Sequence, residues 1–226
     1  MSALKNAVIN RASTAAFTIS LFLFIITFSI GLPIYFRPFY YWHIGPLELA
    51  DISGFTASQI KSAYNAVLNY LTMPWCEFSC GDMKFSADGA AHFADCRVLF
   101  NLNATVLIVS AITLIILLCL QKKKKIGAFY IGKVPATLFA SAMAAGLVIA
   151  LAAVIAVDFN SAFKDFHTLF FAGKSNWMFD DKMDQIINVL PKRFFANCAI
   201  LICCSTTLFV LVFLVSHIIK RKRGRD

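Results

Sequence analysis

The sequence predicts an all-α integral membrane protein with four transmembrane helices and short helices in two loops outside the membrane. Hydrophobic residues make up 59% of the 226-residue chain and charged residues only 15%, whereas soluble domains carry about a quarter charged residues. Four long stretches contain no Asp, Glu, Lys or Arg. Basic residues are concentrated in the segments that these stretches place on one side of a membrane. Together these observations exclude an ordinary soluble domain.

The four charge-free stretches are the predicted spans. Each is longer than the roughly 20 residues that a helix needs to cross the hydrocarbon of a bilayer. Their residues do not alternate as in a strand, so a helix is the expected way to satisfy their backbone in lipid. They cover residues 12–36, 98–120, 134–157 and 194–219. The first is longer than a signal-peptide core and no small-x-small site follows it, which favours a retained helix.

Basic residues set the expected orientation. More than half of the 21 basic residues lie at the N-terminus, between the second and third spans, or at the C-terminus, with Asp226 as the only acid on that side. These residues are Lys5, Arg11, Lys122, Lys123, Lys124, Lys125, Lys133, Lys220, Arg221, Lys222, Arg223 and Arg225. The positive-inside rule therefore predicts cytoplasmic termini and places loops 37–97 and 158–193 outside, in one membrane domain spanning 1–226. Contact with anionic lipid explains the basic clusters better than nucleic-acid binding, for which no fold is visible.

The first outer loop contains a predicted helix over Thr56–Leu71. Thr56 or Ser58 is a suitable cap, and Pro74 follows the end of the helix. Its apolar residues share one face, namely Ile60, Tyr64, Val67, Leu68 and Leu71. A second helix is expected to start within residues 85–92 and to continue into the second span. The inner connection between the second and third spans is predicted to be a simple turn.

The second outer loop begins with a phenylalanine pattern at helical spacing. Phe159, Phe163, Phe166 and Phe170 recur every three or four residues, and Gly173 ends the pattern. A turn at the interface is predicted over Trp177–Asp180. A short helix is predicted over Asp181–Val189, ended by Pro191.

Two of the four histidines are candidates for chemistry. His92 and His167 are each predicted near the outer end of a membrane helix, close to acidic residues. His92, Asp95 and Cys96 fall on one helix face, which would direct an imidazole, a carboxylate and a thiol the same way. Polar side chains at membrane depth are costly and usually functional, although a hydrogen-bond network between helices fits the same pattern. His43 and His217 are better explained as interfacial residues.

Cysteine and metal chemistry remain open alternatives. Cys76 and Cys80 have a spacing that allows a local disulfide in the outer loop. A zinc site formed by His92, Cys96 and His167 is chemically feasible, but the chain has no compact ligand motif. We therefore expect no metal and no cofactor.

Four segments of the chain resemble a bacterial membrane family, the lipoprotein intramolecular transacylases (Lit). The segments are Phe85-Ser-x-Asp-Gly-x-x-His-Phe-x-Asp-Cys-Arg-x-Leu-Phe100, Phe166-His-Thr-Leu-Phe-Phe171, Trp177-Met-Phe-Asp-x-x-x-Asp184 and Leu190-Pro-x-x-Phe-Phe195. The four-helix layout is also similar, so the resemblance covers nearly the whole chain.

The resemblance implies a reaction and a set of site residues. In this family an acyl chain moves from the sn-2 ester of a diacylglyceryl-cysteine lipoprotein to the α-amine of the same cysteine, giving a lyso-form lipoprotein. His92 and His167 match the functional histidine pair. Supporting roles are expected for Asp88, Asp95, Arg97, Asp165, Trp177, Asp180 and Asp184. The implied partners are a diacylated lipoprotein N-terminus and membrane lipid, with the protein a monomer in the bacterial cytoplasmic membrane and its site facing outside.

Two imidazoles suit the implied chemistry. An α-amino group has a pKa of about 7.7–8.0, and a histidine near 6.5 can accept its proton during attack on the ester. A second group must stabilise the oxyanion or protonate the departing glycerol oxygen. We expect His92 to be the base and His167 the donor, although the reverse fits equally well, and Asp95 to orient an imidazole. The competing hypotheses are a non-enzymatic protein that binds a partner through its outer loops and a zinc-dependent membrane hydrolase.

Overall fold

The computed structural model describes residues 2–223 and is almost entirely helical. The helices are α1 (Ser2–Tyr35), α2 (Pro38–Tyr41), α3 (Leu49–Ser53), α4 (Ala57–Thr72), α5 (Ala87–Lys122), α6 (Ala136–Val157), α7 (Phe159–Phe170) and α8 (Lys192–Arg223), with a 3-10 helix at Gln185–Val189. Two short strands, β1 (Tyr130–Ile131) and β2 (Val134–Pro135), pair antiparallel between α5 and α6. The predicted all-α class is confirmed.

Within residues 2–223, four helices are long and apolar enough to cross a membrane, namely α1, α5, α6 and α8. Helix α5 has 36 residues and rises about 1.5 Å per residue, so it is longer than the roughly 30 Å of bilayer hydrocarbon. The charged residues of α5 lie before Val98, except for Lys122, which is the last residue of the helix. The charge-free residues 98–121 of α5 include the predicted span 98–120, and the first three turns of the helix precede them. Arg225 and Asp226, which entered the predicted charge balance, lie outside the described residues.

The chain divides into two compact units. Within the described residues, the first unit comprises 2–31, 104–152 and 201–223. Its core contains the stacked rings of Phe17 and Phe129, whose centroids are 4.1 Å apart. Ala136, Ala140 and Ala144 form a fully buried stripe at four-residue spacing on α6, as expected where small side chains let helices approach closely.

The second unit comprises residues 32–103 and 153–200. In its core Tyr40 stacks on Tyr64 with ring centroids 3.7 Å apart, and the Tyr40 hydroxyl donates to the Val189 carbonyl at 2.7 Å. Helix α4 buries its predicted apolar face against this core. A capping box between Thr56 and Gln59 starts α4, so the predicted helix and its Thr56 cap are confirmed.

Two local predictions need correction. The inner connection is more than a turn, because β1 and β2 form a hairpin in which Gly132 has a φ of 61°. The predicted helix Asp181–Val189 is wrong in its first half, where the chain forms a turn, and only Gln185–Val189 is helical. The cause is a tertiary bond, since the Asp184 carboxylate accepts from the Ser86 N–H and hydroxyl at 2.8–3.0 Å.

Candidate active site

His92 lies near the start of α5 and is almost completely buried, with 4% of its surface exposed. The start of the helix is fixed by Ser86, whose hydroxyl accepts from the Gly89 N–H at 2.9 Å. Asp184 in turn accepts from Ser86, and its carboxylate is therefore placed at the positive end of the helix dipole. These contacts hold the first turns of α5, and with them His92, against the second outer loop.

His167 is presented by the buried side of α7. The helix starts at the Asp158 cap, whose carboxylate accepts from the Asn160 N–H at 2.9 Å. His167 is 8% exposed, while Phe166, Leu169 and Phe170 on the same helix are exposed. The Nδ1 of His167 lies 2.7 Å from the Phe163 carbonyl. A carbonyl only accepts, so Nδ1 carries the proton in this contact and the lone pair of a neutral ring is on Nε2.

The two imidazoles lie side by side. Their ring centroids are 5.7 Å apart and their planes differ by 28°. Aromatic rings surround the pair: Phe171 and Phe179 have centroids 4.7 Å and 5.3 Å from His92, while Phe163 and Trp177 lie 4.3 Å and 5.0 Å from His167. The structure therefore brings together two histidines separated by 75 residues in sequence and encloses them in an apolar shell.

Burial controls the charge of His92. Desolvation, reinforced by the neighbouring His167, lowers the pKa of His92 from 6.5 to about 4, although the Asp95 carboxylate opposes the shift. The ring is therefore neutral at physiological pH. Its Nε2 lies 3.4 Å from the Cys96 thiol, and its Nδ1 is buried with no hydrogen-bond partner among the described residues. Burial raises the pKa of Cys96 to about 12, so that this side chain remains a thiol.

Asp95 does not bond to either imidazole within the described residues, contrary to its predicted orienting role. Its carboxylate pairs with Lys174 and accepts from the Asn176 side-chain amide at 3.1 Å. The hydrogen bond from Lys174, and then the one from Asn176, lowers the pKa of Asp95. Sequence reasoning missed Lys174 and Asn176, because they follow Asp95 by 79 and 81 residues and no local pattern marks them.

Among the remaining supporting residues, Trp177 contacts a histidine ring. Its ring is tilted by 34° against that of His167, and its indole N–H donates to the Lys174 carbonyl at 3.1 Å. Arg97 donates to the Met73 carbonyl and lies over the Tyr70 ring, which makes it a structural residue of the second unit. Asp184 holds Ser86.

The other acidic candidates are at the surface. Asp180 accepts from the Lys182 N–H and so closes its own turn. Asp88 and Asp165 are exposed, and in the described part of the chain neither is bonded to a histidine.

The geometry gives no support to the metal and disulfide alternatives. Between residues 2 and 223, no three His, Cys, Asp or Glu side chains are grouped so that they could hold a metal ion. Cys76 and Cys80 are both free thiols. His43, set aside as interfacial, bonds through Nδ1 to the Phe39 carbonyl at 2.6 Å and packs against Phe194.

Comparisons with known proteins point to one family. The sequence model described as "Lipoprotein intramolecular transacylase Lit" matches residues 15–195. No curated protein sequence matches the chain.

Solved structures agree with the family match. The in meso structure of the membrane-integral lipoprotein intramolecular transacylase Lit from Bacillus cereus has a TM-score of 0.85 and 25% identity, covering 96% of this chain and 99% of that one. A histidine-to-arginine variant of the same protein gives 0.77 and 24% identity, covering 100% and 98%. A histidine-to-alanine variant gives 0.77 and 25%, covering 99% and 100%.

Proposed function

This chain belongs to the lipoprotein intramolecular transacylase family, and on that premise we propose that it is a membrane acyltransferase of bacterial lipoproteins. The acyl chain leaves the sn-2 ester of the diacylglyceryl group on an N-terminal cysteine. It is transferred to the α-amine of the same cysteine, which leaves a lyso-form lipoprotein. The observation that carries the proposal is the buried pair of imidazoles, with ring centroids 5.7 Å apart.

His92 is suited to act as the base. Its lowered pKa keeps the ring neutral, and a neutral imidazole has a lone pair to accept a proton. When the amine nitrogen attacks the ester carbonyl carbon, it becomes positively charged and much more acidic. His92 takes the proton that the nitrogen must lose for the tetrahedral intermediate to go on to an amide.

His167 is suited to act as the donor. Its Nδ1–H is bonded to the Phe163 carbonyl, which leaves Nε2 as the nitrogen that exchanges a proton with the substrate when the ring is charged. The opposite nitrogen, Nε2, then carries a proton that can pass to the glycerol oxygen as the carbon–oxygen bond breaks. The transfer leaves His92 protonated and His167 neutral, and one proton must return from the first ring to the second, directly or through solvent, before the next turnover.

The aromatic shell favours aminolysis over hydrolysis. Phe163, Phe171, Phe179 and Trp177 pack around the two imidazoles and limit the access of water to the ester. The nucleophile and the ester belong to one molecule, so proximity supplies a large part of the rate enhancement. No external nucleophile or nucleotide is required.

The charge distribution supports a site that faces outside the cell. More than half of the 21 basic residues lie in the segments that share a side with the termini, and such segments are retained in the cytoplasm. Loops 37–97 and 158–193, which carry His92 and His167, then face the outer surface of the cytoplasmic membrane. Diacylated lipoprotein N-termini and membrane lipid are the expected partners there.

Expression in a bacterial host that cannot N-acylate its own lipoproteins tests the proposal. Mass spectrometry of one lipoprotein's N-terminal peptide should show the lyso-form with one amide-linked and one ester-linked chain. His92→Ala and His167→Ala should leave the peptide diacylated with a free amine, while the control His43→Ala should form the product. Lyso-form product at wild-type levels in either of the first two variants would refute the histidine mechanism.

A further inference from the structure

The side-chain amide of Asn176 is bonded at one end only. Its Nδ2 donates to an Asp95 carboxylate oxygen at 3.1 Å. Its Oδ1 is buried and accepts no hydrogen bond from any described residue. We propose that Asn176 is a substrate-binding residue whose Oδ1 accepts a hydrogen bond from the α-amine of the lipoprotein's N-terminal cysteine. The proposal rests on the proposed function and names the contact that holds the nucleophile.

The direction of the amide is set by its neighbour. A carboxylate only accepts, so the NH2 group of Asn176 must point to Asp95 and the oxygen must point away from it. The Lys174 ammonium group pairs with the other oxygen of the same carboxylate and holds it in place. Asn176 is therefore pre-oriented with its acceptor directed elsewhere, which is what a residue that positions a substrate requires.

This acceptor lies in the same cluster as the histidines. Asp95, to which Asn176 is bonded, follows His92 by less than one helical turn. Trp177, which follows Asn176 in sequence, contacts the His167 ring. His92 Nδ1 is likewise buried without a partner among the described residues. Buried polar atoms without partners cost folding free energy and are rare in native proteins. Two of them in one cluster indicate groups that are satisfied by substrate.

The chemistry of the acceptor selects its ligand. Oδ1 is a carbonyl oxygen, so it requires an N–H or O–H donor. At the reacting end of a diacylglyceryl-cysteine, the ester groups and acyl chains have no donor, whereas the α-amine does. A hydrogen bond to one amine hydrogen would hold the nitrogen in the cluster that contains His92. The first peptide N–H of the lipoprotein is the other donor within reach, and the experiment below separates the two.

Binding of an unreactive substrate tests the proposal. The probe is a lipopeptide whose two glyceryl chains are ether-linked, prepared with and without the α-amine, and its affinity is measured for the full chain in nanodiscs. The wild type should prefer the amine probe by about tenfold, as expected for one hydrogen bond. Asn176→Leu should lose this preference while binding the desamino probe normally. The control Asn188→Leu should keep it, because Asn188 only donates to the Asp181 carbonyl in the same loop.

Two results would overturn the assignment. If Asn176→Leu still prefers the amine probe by the wild-type ratio, Oδ1 does not bind the amine. If it weakens both probes equally, the residue holds the peptide N–H or only the loop, and indole fluorescence and thermal unfolding of the variant identify the second case. If Asn176 proves not to bind the amine, the proposed function still stands, since His92→Ala would still abolish acyl transfer.

Discussion

The ring of His92 has its two nitrogens in different surroundings. Nε2 contacts the Cys96 thiol at 3.4 Å, while Nδ1 is buried and has no hydrogen-bond partner among the described residues. If the thiol donates to Nε2, Nδ1 carries the proton, and if Nε2 donates to sulfur, Nδ1 holds the lone pair. The second tautomer leaves Nδ1 as the basic nitrogen for the substrate amine. In the proposed mechanism Cys96 would be a hydrogen-bond partner of the base, and its raised pKa keeps it a thiol.

The lowered pKa of His92 predicts a specific pH dependence of stability. The folded protein binds this proton less readily than the unfolded chain, so stability is lost as the pH falls from about 6.5 towards about 4. His92→Gln removes the titrating group. The drop in melting temperature between pH 7 and pH 5, measured in nanodiscs, should therefore be smaller in the variant. An equal drop in both proteins would contradict the assigned shift.

Among the described glycines, Gly89 has the least room for an added side chain. A Cβ at this position would overlap the Asp184 carboxylate, which anchors the start of α5. Gly89→Ala should destabilise the protein by about 1–3 kcal/mol, a typical cost of overpacking, and should reduce acyl transfer because His92 lies one turn later. Thermal unfolding measures the first effect. Gly146→Ala on α6 is the control, since a Cβ there meets nothing within 4 Å, and equal loss in both variants would contradict the explanation.

At the scale of single residues, the sequence identified the histidines but not what holds them. His92 and His167 are rare polar residues near predicted span ends, and that local signal was sufficient. Lys174 and Asn176 carry no such signal, because a lysine and an asparagine in an outer loop are ordinary. Their importance depends on a carboxylate about 80 positions earlier, and only the fold brings them to it.

Among the elements, the segment from Phe171 to Phe179 forms one wall of the site. It contributes three rings to the aromatic shell, yet it is irregular in structure. Asp95 fastens it to α5 through Lys174 and Asn176. Irregular backbone can position side chains closely only where such contacts fix it.

Two substitutions separate the contributions of Lys174 and Asn176 to the contact between this segment and α5. Lys174→Met removes the ion pair, and because the Lys174 side chain is 50% exposed, stability should change by no more than about 1 kcal/mol. Asp95→Ala also releases Asn176, so kcat/KM should fall at least tenfold further than in Lys174→Met. Steady-state acyl transfer by both purified variants measures the difference. Equal kcat/KM values would show that the Asn176 contact has no role.

Prediction of the elements was reliable where the determinants are local. These helices are predicted from signals that lie within one continuous segment of sequence. The signals are the charge-free stretches, the capping residue Thr56 and the phenylalanine spacing of α7. The sequence predicts a helix at residues 181–183, where the structure has a turn, because local propensity alone favours a helix there. Its actual conformation is set by the Asp184 bond to Ser86, 98 positions away, which outweighs propensity.

For the whole molecule, the proposed orientation in the membrane rests on the distribution of charge. The basic clusters at 122–125 and 220–223 resist translocation, and they are placed on one side by an even number of intervening spans. Green fluorescent protein fused to the C-terminus should therefore fluoresce, and alkaline phosphatase fused after Gly173 should be active. The reverse pattern would place the histidine pair in the cytoplasm, where no diacylated lipoprotein N-terminus is presented.

The two imidazoles are proposed to act as one catalytic unit, and a mutant cycle tests this directly. Transfer rates of the purified protein on a synthetic diacylglyceryl peptide are measured for His92→Gln, His167→Gln and the double variant. Each single substitution should lower the rate by roughly 10²–10⁴, as loss of general acid–base catalysis does. The double variant should be little slower than the slower single one, because residues of one unit are not additive. The mechanism would be contradicted if the rate loss in the double variant equalled the product of the two single losses. It would also be contradicted if either single variant kept the wild-type rate.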